Sequence, residues 1–142
     1  MNQPVEAAIV DTVELRIPCR AEWVALARLA VAAVANRLKL TIEEIEDIKL
    51  AVAEACTSII QSENHGESLE LTCETMPGAL RLHVRDTGSH EPRPDAAGAM
   101  DYDEARVVGL GVFLIRTLMD EVSYDQHPER GTDLVMVKRI AR

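Results

Sequence analysis

A two-layer α/β (α+β) sandwich, with helices packed on one face of a mainly antiparallel mixed sheet, is what these 142 residues predict. Three observations point that way. Two stretches with helical periodicity follow one another between residues 21 and 62. Two pairs of period-two segments are each joined by a short turn containing Pro and Gly, "MPG" and "HPERG". The length suits one domain with an ordinary core, and because hydrophobic residues make up 47% and aromatic residues only 3%, aliphatic side chains and alanine must fill it.

The elements follow in order. "VELRIP" alternates apolar and polar residues from Val13 to Ile17 and stops at Pro18, as a half-buried strand does. "AEWVALARLAVAAVANRLKL" is rich in alanine and leucine and predicts a helix from about Ala21 to Leu38. Thr41 and Glu44 have the spacing of a capping box, so a second helix starts there. Its apolar positions Ile45, Ile48, Val52, Ala55 and Ile59 step by three and four, and the helix should fade near "SENHG". "SLELTCET" and "ALRLHVRD" then make a β-hairpin about Pro77-Gly78. Residues 87–108 are rich in Gly, Pro, Ala and acid, have weak periodicity, and are longer than a structural connection needs to be. "GLGVFLIRTLMDEV" opens a third helix with two glycines, and "VSYDQ" and "TDLVMVKRI" close the sheet.

The bulk numbers exclude several functions. A formal net charge of -9 argues against a protein that grips nucleic acid or anionic lipid through its overall field. No apolar run reaches the length of a membrane span, and no basic segment precedes an apolar one at the N-terminus. The expectation is therefore a cytoplasmic protein with no direct nucleic-acid or membrane partner. Cys19, Cys56 and Cys73, with His65, His83, His90 and His127, have no metal-ligand spacing, so the cysteines are expected as buried free thiols.

Three short stretches could carry chemistry. Glu54 and Ser58 are four apart on the second helix and share a face beside its apolar stripe; a carboxylate there could face a cleft or simply be a solvated rim. In "VRDTG", Asp86 ends a strand, where an acceptor-only carboxylate could take a bond from an exocyclic amino group, and Gly88 would let a planar ligand come close; alone, the motif is an ordinary turn. Gly109 and Gly111 stand at a helix start, where free amides and the helix dipole favour an anion such as phosphate, or else form a flexible joint.

Taken in order, "IKLAVAEACTSII", "LHVRDTG", "GLGVFLIRTLMDEV" and "ERGTDLVMV" resemble the RsbW/SpoIIAB family of anti-sigma factor serine kinases, members of the Bergerat-type (GHKL) ATPase superfamily. The resemblance runs from about Val13 to Ile140. It implies a Bergerat ATP-binding fold: one histidine-kinase-like ATPase domain over residues 1–142, with a flexible N-terminus at 1–11 and an ATP lid at 87–108. It implies ATP and Mg as cofactors, with Glu54 as the general base. Asp86 would hold the adenine amino group, Gly88 would line the base pocket, Gly109 and Gly111 would support lid and phosphates, and Thr132 would lie by the adenine. Arg28 would contact both partners, an alternative sigma factor and a STAS-type anti-anti-sigma protein, and the chain would form a homodimer.

The implied function is an anti-sigma factor that sequesters the sigma factor and phosphorylates a Ser or Thr of the STAS protein. The chain departs from the family at three places. Ser58 stands where the family has an asparagine that ligates magnesium, His90 stands where the first glycine box has its second glycine, and Ser62 stands where a histidine is frequent. Serine's shorter arm makes Ser58 a weak Mg ligand, a loss on the order of 1.5–3 kcal/mol. The competing expectation is thus a binding module that has lost phosphotransfer through Ser58 and His90; a metabolic enzyme for a small nucleotide is a third.

Overall fold

A computed structural model describes residues 9–62, 65–87, 111–127 and 131–140. The chain opens with β1 (Asp11–Pro18), a 3-10 turn (Ala21–Trp23), α1 (Val24–Ala35) and α2 (Ile42–Gln61). The hairpin β2 (Ser68–Met76) and β3 (Ala79–Thr87) follows. Residues 111–118 form the third helix, α3, before the hairpin β4 (Glu121–His127) and β5 (Gly131–Arg139). The strands lie in the order β1-β2-β3-β5-β4, and the expected mainly antiparallel sheet is antiparallel at all four junctions.

Local sequence accounts for most boundaries. At the start of α2 both halves of the capping box form: Glu44 N–H donates to Thr41 Oγ1 at 3.1 Å, and Thr41 N–H donates to Glu44 Oε1 at 2.8 Å. The first helix is shorter than the expected Ala21–Leu38. No side chain caps its start, where Arg20 is extended, so the first three residues wind as 3-10. At its end, Arg37 and Leu38 turn back on Val34 and Ala35 through tight three-residue bonds. Gly78, at φ +77°, makes the β2–β3 turn.

The helices bury one face of the sheet. Ile48, Ala51, Val52, Ala55 and Ile59 of α2 pack into one core with Ala27 and Val31 of α1, Leu69 and Leu71 of β2, Leu80, Leu82 and Val84 of β3, and Leu134 and Met136 of β5. The opposite face is polar and carries the cross-strand pairs Glu70–Arg85 and Glu74–Arg81, both 2.7 Å, and His83–Asp133. Such half-exposed pairs set register more than they stabilise, at about 0.2–1 kcal/mol each. Two further bonds seat α3: Lys138 Nζ donates to the Leu118 carbonyl at 3.0 Å, and Asp120 N–H donates to the Val137 carbonyl at 2.9 Å. The first puts a cation at the negative end of the helix. No helix among the described residues is long and apolar enough to cross a membrane.

Candidate functional site

The site lies where α2, the start of α3 and the Asp86 end of the sheet converge. Asp86 is 4% exposed at the end of β3. Its Oδ1 accepts the Gly66 N–H at 2.8 Å and its Oδ2 accepts the Thr132 N–H at 3.4 Å. Two backbone amides from separate parts of the chain thus hold the carboxylate in place. Thr132 follows Gly131, whose φ of +81° turns the chain into β5. The Thr132 hydroxyl reaches Tyr124, whose phenol is pushed upward by burial and drawn partly back by that bond.

Gly66 is a site residue that sequence reasoning missed. A Cβ at this position would overlap the Thr87 carbonyl oxygen and stand 2.6 Å from Asp86 Oδ1, so only glycine lets the α2–β2 link reach the carboxylate. The local signal, a glycine after a helix end, could not reveal this, because the obstacle lies twenty residues on.

Glu54 and Ser58 sit one turn apart on α2, Glu54 half-buried and Ser58 buried, and α3 packs against them at Gly111. A Cβ on Gly111 would overlap Ser58 Oγ and stand 4.0 Å from Glu54 Oε2. The third helix therefore presents Gly111 to both side chains. Between them and the sheet lies a cavity of about 10 Å³, lined by Ser58, Ser62, Val112, Ile115, Tyr124 and Thr132 among others. That is room for about one water.

The structure thus brings Glu54, Ser58 and Gly111 together, bonds Asp86 to Thr132, and sets Ser58 and Thr132 on one cavity. Gly88 and Gly109 lie outside the described residues, as do residues 88–108 of the expected lid; Thr87 belongs to β3. Arg28 is elsewhere, exposed on α1 near Glu46, which Lys49 at 2.8 Å and then Arg28 hold below the ordinary carboxylate range. The three cysteines are free and buried, as expected. Burial pushes the Cys56 thiol to about 12 and Cys73 to about 11; Cys19 also rises to about 11, through burial and then the charge of Asp86.

Residues 17–138 match the histidine kinase-like ATPase domain. The chain belongs to that family. Among curated proteins, the Serine-protein kinase RsbW of Halalkalibacterium halodurans is 34% identical over 140 residues, covering 93% of this chain and 85% of that one. The proteins of the same name from Bacillus cereus and Bacillus thuringiensis are each 37% identical over 142 residues, covering 93% of this chain and 87% of theirs.

Membership of an ATPase domain family implies ATP, and the cleft can be tested against it. A buried, acceptor-only carboxylate suits the donor of an amino-purine. No cluster of three or more His, Cys, Asp or Glu among the described residues could hold a metal by itself. A phosphate-borne magnesium needs only one or two protein oxygens, and Ser58 is a hard oxygen donor of that kind. The residues fit a nucleotide and its ion, and do not fit a metal held by protein alone.

Proposed function

We propose that this chain is an anti-sigma factor that sequesters an alternative sigma factor and, with magnesium and ATP, phosphorylates a Ser or Thr of a STAS-type anti-anti-sigma protein. The observation that supports the reading is a half-buried Glu54 beside Gly111, with its helix neighbour Ser58 lining the same cavity as Thr132, the residue bonded to the buried Asp86. The kinase relatives supply the reaction class.

Each side chain then has a task. Mg-ATP, when bound, supplies the transferable phosphoryl group and neutralises its charge. Asp86 accepts a hydrogen bond from the purine amino group, and Thr132 fixes that carboxylate from the other side. Glu54 accepts the proton of the partner's hydroxyl, work typically worth about 10²–10⁴ in rate. Ser58 would offer the ion a hydroxyl oxygen, and Gly111 of α3 would lie by the phosphates. Gly88, Gly109 and a lid over residues 87–108 complete the pocket in this reading, and Arg28 meets both protein partners away from it. The protein acts in the cytoplasm as a homodimer. Phosphoryl transfer asks chiefly for positioning and charge neutralisation, so no covalent nucleophile is required.

The 10 Å³ cavity and the short arm of Ser58 favour one other reading, a partner-switching module that binds both proteins without transfer. Incubation with labelled ATP, magnesium and a cognate STAS protein separates the two. Label moves to the STAS protein in the first reading and Glu54→Ala stops it; retained binding of both partners with no transfer establishes the second.

A further inference from the structure

Tyr124 stands on β4, a marginal strand of the sheet, where it is half-buried and packs against the core. The register sets it opposite Leu134, two residues along β5 from Thr132, so Tyr124 and Thr132 are diagonal neighbours on one face. Such neighbours are within reach of an aromatic side chain. Both line the cavity that α2 closes with Ser58 and Ser62, and the phenol and the Thr132 hydroxyl bond across the two strands. Filling the core asks only for an apolar ring; a hydroxyl on that ring must find a partner there. The partner here is the residue whose own amide donates to Asp86 Oδ2. A chain of contacts therefore leads from Tyr124 through Thr132 to the buried carboxylate.

The direction of the hydroxyl bond has a chemical consequence. Each hydroxyl has one proton to give and can also accept. The phenol is the stronger acid of the two, and it keeps its proton at neutral pH because burial pushes Tyr124 upward. The phenol is then the donor, the Thr132 oxygen accepts, and the Thr132 proton is left to point elsewhere. Without the phenol the same hydroxyl turns either way. Beside an acceptor-only Asp86, a hydroxyl fixed as a donor completes a two-part pattern. The amino group and ring nitrogen N1 of adenine match it as donor and acceptor. Guanine has an oxygen and an N1–H at those places, and opposes it at both.

We propose that Tyr124 is a positioning residue for purine choice: by donating to Thr132 it commits the Thr132 hydroxyl to N1 of an adenine whose amino group donates to Asp86. The proposal rests on the nucleotide site of the function proposed above and assigns that site its discrimination against guanine. Tyr124 acts through Thr132 and touches no part of the nucleotide.

Calorimetry of the full chain with magnesium reads this without phosphotransfer, using ATP, GTP and the ATP analogue in which C–H replaces N1. The unaltered chain should bind ATP about tenfold more tightly than the analogue, the worth of one good hydrogen bond, and GTP more weakly than either. Tyr124→Phe frees the Thr132 hydroxyl to turn, so ATP affinity should fall about threefold and GTP affinity rise by a similar factor, with the analogue unchanged. Tyr124→Leu, a second variant without the hydroxyl, should give the same pattern. Thr132→Val should remove the preference for ATP over the analogue, and adding Tyr124→Phe to it should change nothing more. A chain that binds none of the three overturns the nucleotide site and the proposal together. ATP affinity unmoved in Tyr124→Phe and Tyr124→Leu, or weakened by one common factor for all three nucleotides as looser packing would do, overturns the role of Tyr124 alone. Equal binding of ATP and the analogue by the unaltered chain overturns the contact to N1.

Discussion

The Asp86 and Glu54 ends of the site are built differently. At one end Asp86 is nearly inaccessible and held by two backbone amides from distant parts of the chain, with a glycine that tolerates no side chain. At the other, Glu54 is half-buried on a helix, and its neighbour Ser58 meets α3 through a hydroxyl. Strand register fixes the first end, so changes there are felt by the fold. Side-chain choice on one helix face fixes the second, so residues there can be exchanged at little structural cost. In this reading a chain of this family can vary its catalytic strength while keeping its purine end intact.

The sharpest break between the two ends is Glu54→Ala. Removing the proposed base should lower transfer about 10²–10⁴-fold, while urea unfolding shifts by no more than about 0.5 kcal/mol. Transfer that survives in the variant would remove Glu54 from the chemistry and leave the second end with no defined role.

Asp86→Ala tests the opposite end. It strands the Gly66 and Thr132 amides in a buried place, at about 1–3 kcal/mol for each unsatisfied donor. The 3.4 Å bond from Thr132 is the weaker of the two, so a loss of about 3 kcal/mol in urea unfolding is expected, along with loss of nucleotide binding. An undiminished unfolding midpoint would show that register does not fix this end.

Much of this could be read from the chain before it was folded. The capping box at Thr41 and Glu44, the Pro77-Gly78 turn and the α2 stripe are local, and their determinants lie within one or two turns of each other. Glu54 and Ser58 were legible as a pair because four-residue spacing on a helix is itself a distance. The closure of the Asp86 end was not. Thr132 lies 46 residues from Asp86 and Gly66 lies 20 away, and they meet only because the pairing of β3 with β2 and β5 brings them there. The 3-10 start of α1 was missed for a milder reason, since its alanine-rich composition hides the lack of a capping side chain.

Alkaline titration compares the surroundings of both ends, because Cys19 responds to Asp86 whereas Cys56 lies on α2 between Glu54 and Ser58. Folding holds the Cys56 thiol near 12 and Cys19 near 11, above the ~8.5 of an unfolded cysteine. Their neutral forms contribute stability that is fully present below pH ~8.5. It is lost as pH rises toward the folded values, at up to about 1.4 kcal/mol per pH unit for each thiol. Unfolding midpoints across that range should fall steeply, and Cys19→Ala and Cys56→Ala should each flatten the slope; an unchanged slope in both would place the alkaline sensitivity elsewhere.

Ser58→Asn should strengthen the weaker end. Restoring a longer amide oxygen adds one charge-assisted contact to the ion, worth about 1.5–3 kcal/mol, so magnesium-dependent nucleotide affinity should rise roughly ten- to a hundredfold by calorimetry. Affinity without magnesium should not change. An equal gain in the absence of the ion would mean that residue 58 shapes the pocket instead of holding the metal.

The smallest effect separates the two glycines. At Gly66 the added methyl of alanine meets the Thr87 carbonyl, which the β3 ladder holds in place, so strain of about 1–3 kcal/mol is expected. At Gly111 the same methyl meets Ser58 Oγ, the tip of a short side chain that can rotate away, so Gly111→Ala should cost less than about 1 kcal/mol. Because that contact is with one atom, most of the cost should vanish in a Ser58→Ala background, an interaction energy readable by a double-mutant cycle. A Gly111→Ala loss as large as that of Gly66→Ala, and undiminished when Ser58 is trimmed, would show that the start of α3 is held as firmly as the Asp86 end, and that the two ends do not differ in the way described.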